Sequence, residues 1–259
     1  MPPLILVTND DGIQAPGLLA LVQALQAVAE VAVFAPDHNW SAAGHSKTMH
    51  KPLRVHPARL ADGTPALTGN GSPSDCVALA LLGLVPRRPD LVVSGINQGA
   101  NVGHDLTYSG TVAAAMESVI AGISAIAVSL DSYESGAFLP AAHFAAQLAA
   151  HVLAARPTAP LLLNVNVPAL PQSQIRGAQA TRLGSRVYRD ALVERRDPRG
   201  QSYYWIGGEP PAGVPEEGTD IGALATGYIS VTPILLDLTD HARLQELRAW
   251  DLTLPDSLA

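Results

Sequence analysis

The chain is 259 residues long, 47% apolar and 15% charged, with a formal net charge of −7, which fits one large soluble domain or a domain with an elaboration. The acidic balance argues against a nucleic-acid partner, and the single cysteine, Cys76, excludes an internal disulfide or a thiolate zinc cluster. No run approaches the roughly 20 apolar residues that span a bilayer, and strand residues begin at Leu4 without a signal-peptide pattern, so a cytoplasmic location away from membranes is expected.

Leu4-Ile5-Leu6-Val7-Thr8 reads as a buried strand that ends in Asn9-Asp10-Asp11-Gly12. Pro16-Gly17 then opens a helix with Leu18, Leu21, Val22, Leu25 and Val28 at helical spacing. Val31 to Ala35 is a second strand. Ser72 is an N-cap with Pro73 in the first turn of a helix to about Leu84, whose Ala/Leu face buries Cys76. Strands over Leu91 to Ser94, Ala125 to Leu130 and Leu161 to Val165 alternate with helices over Thr111 to Ala121 and Pro140 to Ala155. Continuous apolar strands between helices predict an α/β fold, a doubly wound and mainly parallel sheet covered on both faces. From Arg176 the pattern changes to alternating strand-like runs, a charged stretch at Arg189 to Arg199, the aromatic cluster Tyr203-Tyr204-Trp205 and Gly/Pro-rich turns. An extended β-hairpin arm packing on a partner subunit and an antiparallel subdomain within one chain both fit this stretch. Tyr228 to Pro233 reads as a returning strand and Asp240 to Trp250 as a final helix. The expected organisation is an α/β core over residues 1–175 and a C-terminal arm, strand and helix over residues 176–259 that serve oligomerisation.

Ligands of open parallel sheets bind beyond the carboxyl ends of the strands. Asp10 and Asp11 follow the first strand, Asn39-Trp40-Ser41 follows the second, and the run Ser94 to Gly103 begins at the end of the Leu91 strand, so these groups are expected to converge. Adjacent carboxylates repel each other and resist desolvation. A hard divalent cation, Mg²⁺ or Mn²⁺, offsets both costs, and Ser41 and Asn97 offer neutral oxygens to complete its shell. Asn-Asp-Gly is equally good turn chemistry. Tyr108-Ser109-Gly110-Thr111-Val112 precedes a helix, where hydroxyls, free N–H groups and the helix dipole form an anion site or simply a cap. Walker, dinucleotide and Gly-x-Ser-x-Gly patterns are absent. His38, His45, His50 and His56 match no zinc spacing and read as surface residues, as do His143 and His151, while His104 is a candidate proton donor.

Taken together these blocks resemble the SurE (survival protein E) nucleotidases. The resemblance is carried by Thr8-Asn9-Asp10-Asp11-Gly12 with Pro16-Gly17, Ser94-Gly95-Ile96-Asn97-x-Gly99-x-Asn101 and Tyr108-Ser109-Gly110-Thr111-Val112 with Ala114-Ala115 and Glu117. Pro36-Asp37 with Ser41, Gly71-x-Pro73-x-Asp75-Cys76, Gly218-Thr219-Asp220 and Ser230-Val231-Thr232-Pro233 extend it to nearly the whole chain. It implies a Rossmann-like core and a metal-dependent phosphomonoesterase acting on nucleoside 5′- and 3′-monophosphates, with some activity on short polyphosphate. It further implies one Mg²⁺ or Mn²⁺ per subunit, with Asp10, Asp11, Ser41 and Asn97 as its shell and Asn9, Asn101, Ser109, Gly110 and Thr111 around the phosphate. By the same resemblance, C-terminal arms would build a homodimer or homotetramer. For the chemistry, Asp10 or Asp11 is expected to orient the attacking water as general base, with covalent attack by one of them as the alternative. A link to stress survival is an association of the family. One departure stands out: the family usually has glycine after the serine matching Ser41, whereas this chain has Ala42. If that backbone needs positive φ, Ala42 is strained.

Two rivals share the acidic strand ends. A receiver-like Mg²⁺-binding or nucleotide-binding module would not hydrolyse anything, but a receiver's third aspartate and lysine are missing at the expected strand ends. A haloacid-dehalogenase-type phosphatase needs Asp-x-Asp, whereas Asp10 and Asp11 are adjacent.

Overall fold

The fold is described for residues 1–134, 136–250 and 252 of a computed structural model. In chain order the strands are β1 (Leu4–Thr8), β2 (Glu30–Pro36), β3 (Val55–Arg59), β4 (Pro65–Gly69), β5 (Leu91–Gln98), β6 (Ala125–Asp131), β7 (Leu162–Pro168), β8 (Ala178–Ala180), β9 (Arg186–Arg196), β10 (Ser202–Gly213) and β11 (Ile229–Ile234). The α-helices are α1 (Pro16–Leu25), α2 (Pro73–Leu79), α3 (Gly110–Ile120), α4 (Leu139–Ala155), α5 (Asp220–Ala225) and α6 (His241–Leu247). Among the described residues nine strands form one sheet, ordered β3-β4-β2-β1-β5-β6-β7-β11-β8, and β9 pairs with β10 alone.

The sheet from β4 to β7 is parallel, as its apolar strands and intervening helices predict. β3 and β11 run antiparallel to their neighbours β4 and β7, so the sheet is mixed but mainly parallel. Strand alternation splits the core into two layers. Ile5 and Val7 of β1 face Leu18 and Leu21 of α1 and Ala141 and Ala145 of α4. Leu6, between them, faces Cys76 of α2 and Val112 and Ala115 of α3 on the other side. Because β1 is flanked by β2 on one side and β5 on the other, the winding direction reverses between β1 and β5. A crevice opens at the carboxyl ends of strands flanking such a switch point.

Several elements depart from their expected bounds. α1 ends at Leu25 and leaves Val28 beyond it. The helix after Ser72 holds its expected N-cap, with a reciprocal Ser72–Asp75 capping box, but stops at Leu79 and passes into a π turn over Ala80–Leu84 with Gly83 at φ +116°. β3 and β4 lie in a stretch that offers no apolar run, and Pro57 is tolerated because β3 is an edge strand. Residues beyond 175 contribute to both structures: β8 and β11 extend the large sheet, while β9 and β10 form the separate hairpin. α6 is shorter than the expected helix, and residues 253–259 lie outside the described residues.

Candidate active site

β1 delivers its carboxylates through a tight turn. Asn9 is fully buried; its Nδ2 donates to the Gly12 carbonyl (2.9 Å) and its Oδ1 accepts the Gly12 N–H (3.2 Å). Gly12 adopts φ +98°, which glycine takes at no steric cost. Both functional groups of Asn9 therefore brace the turn that carries Asp10 and Asp11.

Asp10, only 3% exposed, is directed at the start of α3. The Thr111 hydroxyl donates to its Oδ1, 101 residues away in sequence. Gly110 makes this approach possible, because a Cβ there would lie 2.7 Å from the Asp10 Cβ. Ser109 caps α3 by accepting the Val112 N–H at 3.2 Å, as the cap reading has it, and the first-turn N–H of Thr111 bonds the Asp10 carboxylate. Thr111 thus supports the carboxylate. The Ser109 hydroxyl hydrogen and the Gly110 N–H remain as donors beside it.

The segment after β2 folds over the same place. The Trp40 N–H donates to the Asp10 carbonyl (2.8 Å), Asn39 Nδ2 donates to Asp11 Oδ1 (3.3 Å), and Asn39 Oδ1 accepts the Ser41 N–H (2.6 Å). Ser41 is exposed at the rim. Ala42 does adopt the left-handed conformation, φ +58°, that a glycine would take without strain. The loop is tied down further along. The Gly44 N–H donates to the Tyr108 carbonyl (2.9 Å), and the buried Glu117 of α3 pairs with His45 (3.0 Å) and Lys47 (2.7 Å). Glu117 entered the sequence comparison as a motif letter; its partners give it a task, holding the Ser41 loop to the helix that carries Thr111.

β5 supplies the remaining groups. Asn97 Nδ2 donates to the Gly99 carbonyl (2.7 Å), leaving its Oδ1 without a hydrogen bond among the described residues. The Gln98 N–H bonds the Asp11 carboxylate. Asn101 is held through its peptide: its N–H donates to Asn166 Oδ1 (2.8 Å), and its carbonyl accepts from Asn164 Nδ2 (2.8 Å) and Asn166 Nδ2 (3.0 Å). Its own Nδ2 donates to Ser129 Oγ (2.8 Å). Two residues on, the buried carboxylate of Asp220 accepts the N–H groups of Gly103 (2.8 Å) and Gly184 (2.7 Å). His104 is exposed beyond this loop. Sequence reasoning missed Asn164 and Ser129, which read only as strand residues, and Asn166, which lay one residue past the expected strand.

Electrostatics single out the two aspartates. Burial raises the pKa of Asp10 to about 6, the neighbouring Asp11 adds to the rise, and the Thr111 hydroxyl and N–H oppose it. Burial also raises Asp11, against the Gln98 N–H. Neither carboxylate has a basic partner among the described residues. No cluster of three His, Cys, Asp or Glu side chains occurs there either, so a cation at this place would have two carboxylates and neutral oxygens as ligands. Two carboxylates without a cationic partner, with the unbonded Asn97 Oδ1 on the adjoining strand β5, fit a hard ion such as Mg²⁺ or Mn²⁺, and an all-oxygen donor set disfavours Zn²⁺.

A cavity of about 820 Å³ lies at the opposite, amino-terminal edge of the sheet, lined by Arg87, Arg88, Asp90 and Arg156. Arg87 there is engaged by Glu30 (3.0 Å) and Asp90 (3.2 Å), so the carboxylates at this edge, unlike Asp10 and Asp11, are paired with a cation. The carboxyl edge is the chemically equipped one.

Comparison with known proteins identifies the family. A family model described as Survival protein SurE matches residues 5–190. The 5′-nucleotidase SurE of Chloroflexus aggregans is 55% identical over 249 residues, covering 95% of this chain and 98% of its own. That of Herpetosiphon aurantiacus is 54% identical, covering 94% and 96%. The crystal structure of the SurE protein from Aquifex aeolicus superimposes with a TM-score of 0.81 at 39% identity, covering 95% of this chain and 98% of that one. The chain belongs to the SurE family.

Proposed function

We propose that this chain is a metal-dependent nucleotidase that hydrolyses nucleoside 5′- and 3′-monophosphates to nucleoside and phosphate, and that it also cleaves short polyphosphate. The reading rests on one observation above the others: at the switch point of the sheet two adjacent carboxylates have no basic partner among the described residues, Asp10 buried and bonded to Thr111 at the start of α3 and Asp11 half-buried next to it. It is supported by relatives named 5′-nucleotidase over nearly their full length.

Asp10, Asp11, the Asn97 Oδ1 and the Ser41 hydroxyl would hold one Mg²⁺ or Mn²⁺. That ion, when bound, supplies charge neutralisation at the phosphoryl oxygens and a lowered pKa for the attacking water. The Ser109 hydroxyl and the Gly110 N–H donate to the transferring phosphoryl group at the positive end of α3, where charge builds in the transition state. Thr111 fixes Asp10 in one rotamer, and burial gives both aspartates a raised proton affinity suited to orienting water and accepting its proton. Asn101 borders the phosphate on the β5 side. The hairpin supports assembly as a homodimer or homotetramer, because Leu192, Tyr203, Tyr204, Trp205 and Ile206 are all exposed on it.

The test is phosphate release from 5′-AMP, 3′-AMP, 5′-GMP and tripolyphosphate with Mn²⁺, Mg²⁺ or EDTA. Metal-requiring turnover of the monophosphates is expected. Folded protein that releases no phosphate under any of these conditions would leave a binding module as the better account.

A further inference from the structure

We infer that Asn164 and Asn166 are positioning residues of the active site: the central sheet uses two buried amides to fix the peptide of Asn101 in its working place. This rests on the proposed function, since it concerns the loop that borders the phosphate.

Both asparagines are 0% exposed, and as alternate residues of β7 they project from the same face of the sheet. Their neighbours Leu162, Leu163, Val165 and Val167 are buried and apolar. A strand at this place is satisfied with leucine or valine, and burying an amide there is unfavourable unless it is hydrogen-bonded. Their side-chain hydrogen bonds go to neither each other nor the strand backbone. All three run to the peptide groups of Asn101. Asn166 pairs with Asn101 as an adjoining strand would, accepting its N–H and donating to its carbonyl. Those two opposed bonds allow only one orientation of the Asn166 amide. Asn164 makes the third bond even though its own Oδ1 is left buried without a partner.

The next anchor is of the same kind. Gly103, two residues along, is held by the Asp220 carboxylate, and Gly99 by the Leu130 carbonyl at 2.9 Å. The loop from Gly99 to Gly103 is therefore pinned at three points by groups from β6, β7 and α5, with Asn101 at its centre. Placement at this level matters because displacing a substrate-contacting group by about 1 Å costs on the order of a hundredfold in rate.

The experiment is a double-mutant cycle on kcat/KM for 5′-AMP in the full chain with Mn²⁺, comparing wild type, Asn101→Ala, Asn166→Leu and the double variant. Asn166→Leu is expected to lose about ten- to hundredfold, and the double variant to be no worse than Asn101→Ala within about twofold, because Asn166 acts through Asn101 alone. Mn²⁺ affinity by electron paramagnetic resonance is expected to stay at the wild-type value. Losses that multiply, or a fall in Mn²⁺ affinity that accounts for the defect, would overturn the positioning role. If Asn166→Leu does not fold by circular dichroism, Asn164→Leu, which removes one bond of the three, carries the same cycle with a smaller loss. Wild type without nucleotidase activity would overturn the proposed function and this inference together. An active wild type with an unimpaired Asn101→Ala would overturn the inference and leave the proposed function standing.

Discussion

Around Asp10 the protein buries polar groups and ties them to one another; along the β9–β10 hairpin it exposes apolar ones. At the sheet's carboxyl edge Asn9, Asp10, Thr111, Asn164, Asn166 and Asp220 are all nearly or fully buried; Asn9 is closed on its own turn and the others are hydrogen-bonded to groups distant in the chain. On the hairpin Trp205 is 65% and Ile206 86% exposed, and the two strands pair only with each other. An isolated two-stranded ribbon is marginal in water, and a stripe of exposed aromatic and aliphatic side chains favours association. One region is a buried polar network and the other an exposed apolar stripe. The two are joined at Asp220 and Asp105: Asp220 grips both Gly103 of the site loop and Gly184 before the arm, and Asp105 pairs with Arg186 at the base of β9 (2.9 Å).

Two variants sharpen that contrast. The larger effect on folding is expected at Asp10. Between about pH 4 and pH 6 the ion-free folded protein keeps a proton on Asp10 that the unfolded chain has released, so this group's contribution to stability falls as pH rises through that window. Asp10→Asn is therefore expected to stabilise the ion-free protein, with a gap that opens above about pH 4 and reaches up to about 3 kcal/mol beyond pH 6. If the proposed site takes Mn²⁺, a saturating concentration should narrow it. Thermal melts across this range check the expectation, and a gap independent of pH would contradict it. The smaller effect is expected at Trp205. Trp205→Glu should change the unfolding free energy by no more than about 0.5 kcal/mol, as exposed positions do, while shifting sedimentation toward smaller species. An unchanged mass would remove the arm from the assembly.

How much of this was legible depended on distance along the chain. The Asp10–Asp11 pair, the strand–helix alternation and the Ser72 cap are local patterns, and they were readable because each is carried by a few adjacent residues. The partnership of Thr111 with Asp10 joins residues 101 positions apart, so the sequence suggested a phosphate contact where the hydroxyl serves the carboxylate. Asn164 and Asn166 were hidden for a related reason: period-two asparagines in an apolar strand carry no signal until the loop they grip is in view. β3 was missed because Val55-His56-Pro57-Ala58-Arg59 has neither an apolar run nor alternation, and β4 because Pro65-Ala66-Leu67-Thr68-Gly69 is short and bounded by proline and glycine. Ala42 went the other way, since a single residue type raised the question of positive φ and the backbone answers it at φ +58°.

The central claim is that Asp11 serves chemistry and not the fold. Its most direct test is phosphate release from 5′-AMP by Asp11→Asn with saturating Mn²⁺, beside wild type. Turnover should fall by about 10³-fold or more, the scale of several kcal/mol of transition-state stabilisation, with the circular dichroism spectrum and melting profile of a folded protein retained. A folded Asp11→Asn variant that turns over at the wild-type rate would contradict the account.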